Sequence, residues 1–224
     1  MATLRVRDIT SSCLGKAGSL SAKQDVFGVY GTNNQNRSLK DQLDLIQNKP
    51  FVRVAVVTIG TPSQGASANL QRDLDNANTV YQNECGAWVY CQASITRNRP
   101  DLLILDQDDC LGGASHSVSD EEDDLFNLGR GLGANIVAYY INSSNGGFAG
   151  CAAHPPGRRG FWVGSTASAW TFAHELTHVV GDNSHVANSN NLMFTPTANI
   201  TNLPPDLTNS QCNDISSDPD METC

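Results

Sequence analysis

The pattern of apolar and polar positions changes character at about residue 50 of the 224. Before that point the chain is polar and rich in Ser and Asn, with one short helical face at Leu39, Leu43 and Ile46, and residues 1–50 are expected to be an N-terminal extension. Then comes "VRVAVVTI" (52–59), a β-branched run stopped by "GTPSQG", which predicts a buried strand. Leu70, Leu74, Ala77 and Tyr81 recur at i, i+4, i+7 and i+11, the spacing of an amphipathic helix packed on that strand. "AWVYCQASI" (87–95), "LLIL" (102–105) and "NIVAYYI" (135–141) read as further strands, and "GFWVG" (160–164) as a short edge strand. Between them, "SDEEDDLFNLGRGLG" offers two readings. Five consecutive acids suggest a calcium loop; Ser119 with Glu122 three residues later suggests a capping box, with acids in the first turn complementing the helix dipole. The capping box is preferred. Strands alternating with helices predict an α/β (α+β) protein built on a twisted mixed sheet.

The stretch from Ala167 to Val180 is helical in period, and its two faces separate by angle. At ~100° per residue, Ala169, Ala173, Leu176 and Val180 fall on one side, and His174 and His178 lie nearly opposite, one turn apart. Such a helix buries its apolar stripe and presents two imidazoles to a cleft. Without a metal these would be ordinary exposed helix histidines. Two histidines at i, i+4 can converge on zinc at ~2.0–2.1 Å, and Glu175 between them could take a proton from a metal-activated water. Gly181, three residues after His178, suits a left-handed helix end that turns the chain back towards the histidines.

"HELTHVVGDNSH" (174–185), followed by Met193 in "NLMFTP", resembles the metzincins, zinc endopeptidases with the motif HExxHxxGxxH and a Met-turn. The nearest look is to the matrixin, adamalysin-like and gametolysin-like branches. The likeness is close over 174–196 and loose over 51–215. It departs at one place: the third ligand of the motif falls on Ser184, a poor zinc ligand, and the next histidine is one residue late. Six residues, "VANSNN", separate His185 from "LM", the count common in matrixins, so His185 is preferred as third ligand over its rival Asp182. On this reading the extra residue only lengthens a loop, and deleting Asn183 should be tolerated. The resemblance implies a metzincin-like zincin fold, with an upper part (51–181) carrying the sheet and active-site helix. A small irregular C-terminal lobe (182–224) would hold the third ligand, the Met-turn at Met193 and a last helix in "DLTNSQCNDI". It implies Zn2+ as cofactor, Glu175 as general base, and protein or peptide as substrate. The tyrosine that some relatives carry two residues after the methionine is here Thr195.

Other chemistry is thinner. A thermolysin-like site would need a later glutamate ligand, and the only one is Glu222, in a Pro/Asp-rich tail. His116 and His154 read as loop histidines. A net charge of −9 argues against nucleic acid as partner. No apolar run approaches the ~20 residues of a membrane span, so no membrane association is expected, and the protein is expected to be monomeric. Seven cysteines without a CxxC pair suggest structural disulfides and an extracellular setting, although "MATLRVRDIT" lacks the apolar core of a signal peptide. Cys212–Cys224 or Cys85–Cys91 are the expected pairs, with Cys13 the odd one out. Sequons at Asn36, Asn142 and Asn199 would matter only in a eukaryotic secretory pathway. The competing reading from another class is a zinc-stabilised binding module that cleaves nothing, which the presence of Glu175 disfavours.

Overall fold

The computed structural model describes residues 49–60, 66–106, 110 and 118–223. The face at Leu39, Leu43 and Ile46, and also Cys13, Asn36, His116 and Cys224, lie outside the described residues. A sheet of six strands forms the centre. Strands β1 (Pro50–Ile59), β2 (Trp88–Arg97), β4 (Ile136–Tyr140) and β7 (Gly160–Val163) run parallel in the order β2-β1-β4-β7. The edge beyond β7 is an antiparallel strand, β6 (Gly150–Cys151), and β8 (Met221–Thr223) pairs antiparallel with the start of β1. Two further short strands, β3 (Ile104–Leu105) and β5 (Ser143–Ser144), make a separate pair. The mixed α/β sheet expected from the pattern is therefore present.

Both faces of the sheet are covered, which explains why β4 and β7 are buried at every position. On one face Val52, Val54, Val56, Ala138 and Phe161 join a core shared with three helices: α1 (Ala66–Val80), α3 (Thr171–Val179) and α4 (Asn209–Ser217). On the other, Ala55, Val57, Tyr139 and Trp162 meet Leu125 and Phe126 of α2 (Asp120–Asn127). The period-2 alternation along β1 thus assigns each apolar side chain from Val52 to Ile59 to one core or the other.

Some expectations change in detail. "GFWVG" is an interior strand; the true edge, β6, is only two residues long and gives no periodic signal. In "LLIL" only Ile104 and Leu105 are strand, because Pro100 starts a 3-10 turn over Pro100–Leu102. The capping box at α2 is half formed. Ser119 Oγ accepts from the Glu122 amide, but the Glu122 side chain turns inwards and Oε1 accepts from Trp162 Nε1 at 2.9 Å. The complete box stands instead at α4, where Thr208 and Gln211 exchange bonds. Helix α3 starts at Thr171 rather than near Ala167; before it, Ser168 Oγ accepts from the Trp170 amide.

Neither expected disulfide forms. Cys85 pairs with Cys212 and Cys110 with Cys151, while Cys91 is a buried thiol in neither bridge, its Sγ donating to the Ala93 carbonyl. Cys85 and Cys91 are close in sequence, but Cys91 belongs to β2 and faces the core, whereas Cys85 ends the turn after α1, where α4 packs. Cys85–Cys212 spans 127 residues and ties the turn that follows α1 to α4. Replacing both cysteines by alanine should cost about 3–5 kcal/mol by the chain-entropy estimate, read as a lower thermal midpoint. Burial pushes the Cys91 thiol up to about 12, so it should resist alkylation at neutral pH until the protein unfolds. Labelling of Cys91 in the native state at the rate of a free thiol would contradict that placement.

At the C-terminal end of α4, Asp218 pairs with Arg159, which leads into β7. Burial alone would raise the Asp218 carboxyl; Arg159 and the amides of Asp220 and Gly181 outweigh it and hold the group below the usual carboxylate range. A folded value below the unfolded one, ~3.9, means stability that is fully present above about pH 4 and lost as pH falls through the folded value. Asp218→Asn should therefore destabilise by about 2–4 kcal/mol near neutrality. Denaturant unfolding should show that deficit constant from pH 5 to 8 and shrinking only in acid, at values near and below about 4.

Candidate metal centre

Helix α3 lies against the sheet through Phe172, Ala173, Leu176 and Val179, all in the core shared with α1. That fixes its rotation, and His174 and His178 emerge on the side facing the segment after the helix. The chain leaves α3 through Gly181, at φ 88°, followed by Asp182, at φ 49°. Glycine is required at 181 on two counts. A Cβ there would also lie 2.8 Å from the carbonyl carbon of Asp214 and the amide of Ile215 in α4. Two successive left-handed residues reverse the chain and bring His185 beneath the helix.

The three imidazoles converge. Nε2 of His174 lies 3.1 Å from Nε2 of both His178 and His185, and the latter two are 3.0 Å apart. Their other ring nitrogens decide which atoms carry protons. His174 Nδ1 donates to the Leu192 carbonyl at 2.7 Å, and His178 Nδ1 to the Asn183 carbonyl at 2.6 Å. Both Nε2 atoms are then lone pairs facing each other, and one proton on His185 can serve only one of them. Burial pushes His174 down to about 3 and His178 down to about 4, each reinforced by a neighbouring histidine, so protonation does not relieve the contact. A cation does. The separations are near the ~3.3 Å between nitrogens that share a tetrahedral ion at 2.0–2.1 Å, and three imidazoles are a donor set suited to a borderline divalent metal. The residues present fit a metal, and His174, His178 and His185 are the group that could hold it.

Glu175 is buried beside this group, and burial pushes its carboxyl up to about 8; a neighbouring cation acts in the opposite sense. Its position is set by β6. A Cβ on Gly150 would stand 2.8 Å from Glu175 Oε1 and 2.6 Å from Thr171 Cγ2, so the edge strand and α3 are in direct contact there. A cavity of about 620 Å³ opens at this point, lined among others by Phe148, Gly150, Thr171, Glu175, Thr195 and Thr197 together with the three histidines.

The segment from Val186 to Met193 closes the site from below. Met193 is fully buried in the main core; its carbonyl accepts from the Val186 amide, and its amide donates to Asn191 Oδ1. Asn191 is in turn bonded to Gln211 of α4 in both directions, at 2.9 and 3.2 Å. This turn presents the Leu192 carbonyl to His174. The rivals fall elsewhere. Asp182 is exposed at the cavity wall, outside the converging group, and Ser184 is exposed as well. His154 is buried with Nδ1 against the Pro155 carbonyl and belongs to no metal-ligating group among the described residues. Glu222 pairs with Arg53 of β1.

Two orienting groups, the carbonyls of Leu192 and Asn183, had no side-chain signature and were missed by sequence reasoning. The extra residue does lengthen an irregular loop, but it is more than spacing: Asn183 is buried, and its carbonyl accepts from His178 Nδ1.

No protein-family model matches the chain, and no curated protein does. Among solved structures it is similar to metalloproteinase-II from Bacteroides fragilis, with a TM-score of 0.50 and 14% identity over 75% of this chain and 53% of that one. It is also similar to a chain in the structure of a chaperone-substrate complex, with a TM-score of 0.45 and 15% identity over 64% of this chain and 25% of that one, too slight a likeness to argue from. The chain thus spans about half the length of the metalloproteinase, and the likeness to it is one of fold.

Outer hydrogen bonds to metal ligands are typically worth about 10–100-fold in affinity. Deleting Asn183 should lower metal affinity by about that factor, because it removes the carbonyl that orients His178. His185→Ala should lower it more, and Asp182→Ala should be mild. Titration against a chromophoric chelator reads all three; a deletion variant that binds as tightly as wild type would return Asn183 to the status of spacer.

Proposed function

We propose that this chain is a zinc-dependent endopeptidase of the metzincin type. The observation that carries the reading is three convergent imidazole nitrogens beside a buried carboxylate, at the wall of an open cavity. Three neutral nitrogen donors with one side left open are the ligand set of catalytic rather than structural zinc sites. The shared fold with metalloproteinase-II from Bacteroides fragilis supports it. His174, His178 and His185 would hold the ion, and Met193, buried in the main core, would be the methionine of the turn that follows them. When bound, zinc polarises a substrate carbonyl and makes water a better nucleophile.

The rest is the work of this chain's own residues. Glu175 accepts the proton of the attacking water and delivers it to the leaving amine. The contact of α3 with Gly150 limits its rotamers and its burial limits exchange with bulk water, so the proton taken from the attacking water is kept for the leaving amine. The substrate is a protein or peptide lying extended along the cavity between the part carrying the sheet (51–181) and the C-terminal lobe (182–224). A net charge of −9 disfavours nucleic acid as a competitor for that cleft. The two disulfides among the described residues fit an oxidising, extracellular setting, and no helix among those residues is long and apolar enough to cross a membrane. The protein works as a monomer.

The test is proteolysis of casein by the purified protein, its loss with a chelator and its return with zinc. Glu175→Gln should keep zinc at wild-type stoichiometry and lose about 100- to 10,000-fold in rate, the usual contribution of a general base. A wild-type protein that holds one zinc and cleaves nothing would establish the binding-module reading instead.

A further inference from the structure

The end of α3 is gripped from two sides. The Arg159 guanidinium meets Asp218 as a two-pronged pair, Nη1 to Oδ1 at 2.8 Å and Nη2 to Oδ2 at 2.7 Å. Arg159 Nη2 also donates to the carbonyl of Val179, the last residue of α3, and Nη1 to Asp220 Oδ2. Asp218 Oδ2 accepts in addition from the amide of Gly181, at 3.0 Å. One ion pair therefore holds the final carbonyl of the helix and the first amide of the left-handed turn. Its two members come from different elements: Arg159 from the approach to β7, and Asp218 from the end of α4.

What the pair fixes lies immediately downstream. Two residues after Gly181 stands the Asn183 carbonyl that orients His178, and two residues further stands His185. Left-handed backbone at a non-glycine residue such as Asp182 persists only where its surroundings over-determine it. The helix end at Val179 and the packing of Gly181 on α4 supply that constraint. We propose that Arg159 and Asp218 are positioning residues for the metal centre. They touch neither metal nor substrate, and they set the exit turn of α3 so that the Asn183 carbonyl and the His185 ring arrive in register with His174 and His178. The inference rests on the metal-binding reading above.

A matched control is built into the chain. Arg158, next in sequence, has a side chain 20% exposed against 26% for Arg159, and also pairs with an acid. Its partners, Asp123 and Asn127, are on α2, at the opposite face of the sheet. The experiment measures zinc affinity of the full chain by chelator competition for wild type, Arg159→Lys, Asp218→Asn and Arg158→Lys, with circular dichroism confirming the fold of each. Lysine keeps the charge at 159 but cannot reproduce the fork that spans Asp218 and Val179. Arg159→Lys and Asp218→Asn should each lose about 10–100-fold in affinity, while Arg158→Lys stays within about twofold.

A second reading needs no metal and is insensitive to overall stability. In metal-free protein, ¹⁵N spectra of the imidazoles should show His178 protonated on Nδ1 in wild type and Arg158→Lys, and a mixture of tautomers in Arg159→Lys. Wild-type affinity and tautomer in Arg159→Lys, or an equal loss in Arg158→Lys, overturns the positioning role while leaving the metal site standing. A wild-type protein that binds no zinc overturns both.

Discussion

Two imidazoles, His174 buried and His178 half-buried, facing each other through bare lone pairs are the constraint on which the rest of this structure turns. Such a contact is repulsive in low dielectric, and protonation is blocked because burial already disfavours the charged rings. It persists because each ring is held from behind by a backbone carbonyl, Leu192 for His174 and Asn183 for His178. Backbone carbonyls are the natural choice for this task. They cannot rotate away without moving the chain, and they accept from Nδ1 in the tautomer that leaves Nε2 free.

The two carbonyls lie in irregular segments, so their accuracy has to come from elsewhere, and both are braced by α4. Gln211 holds Asn191, which shapes the turn presenting Leu192; Asp218 holds Gly181, which starts the turn presenting Asn183. Helix α4 is itself tied to the turn after α1 by Cys85–Cys212 and buries Ile215 in the main core. The sheet and α3 place two of the converging histidines, and α4 braces the carbonyls behind them. A helix far along the chain from the zinc-type motif thus has a stake in its geometry, as a purely local reading of "HELTH" would not suggest.

What could be read from sequence follows from how each feature is encoded. Long periodic elements were legible: the β-branched run of β1, the i, i+4, i+7 face of α1 and the apolar stripe of α3 each depend on side chains repeating at a fixed interval. The converging histidines were legible too, since His174 and His178 share a helical face and Gly181 marks the reversal. Two-residue β6 had no period to detect, and its Gly150 matters through the absence of a side chain. Disulfide partners were misjudged because nearness in sequence was taken for nearness in space, whereas Cys85 and Cys91 belong to elements that diverge at Gly86. The carbonyls of Leu192 and Asn183 were invisible for a deeper reason. Every residue has one, and only the fold decides which are used.

The extra residue between Gly181 and His185 shows the same distinction at its sharpest. Counted as spacing, it is an insertion whose closure entropy is small, a fraction of a kcal/mol for a loop this short. Counted as chemistry, it is occupied: Asn183 is buried, its carbonyl binds His178, and its side chain packs against Gly181. A loop lengthened by one residue must put that residue somewhere. Bulged outwards it would expose its backbone to water and leave the ligand geometry to the flanking residues. Turned inwards it has to satisfy a buried carbonyl, and the ring N–H of His178 does so. The consecutive left-handed conformations of Gly181 and Asp182 are what turn the chain in that direction. The late histidine therefore reaches the site because the added residue has become part of the structure that supports it.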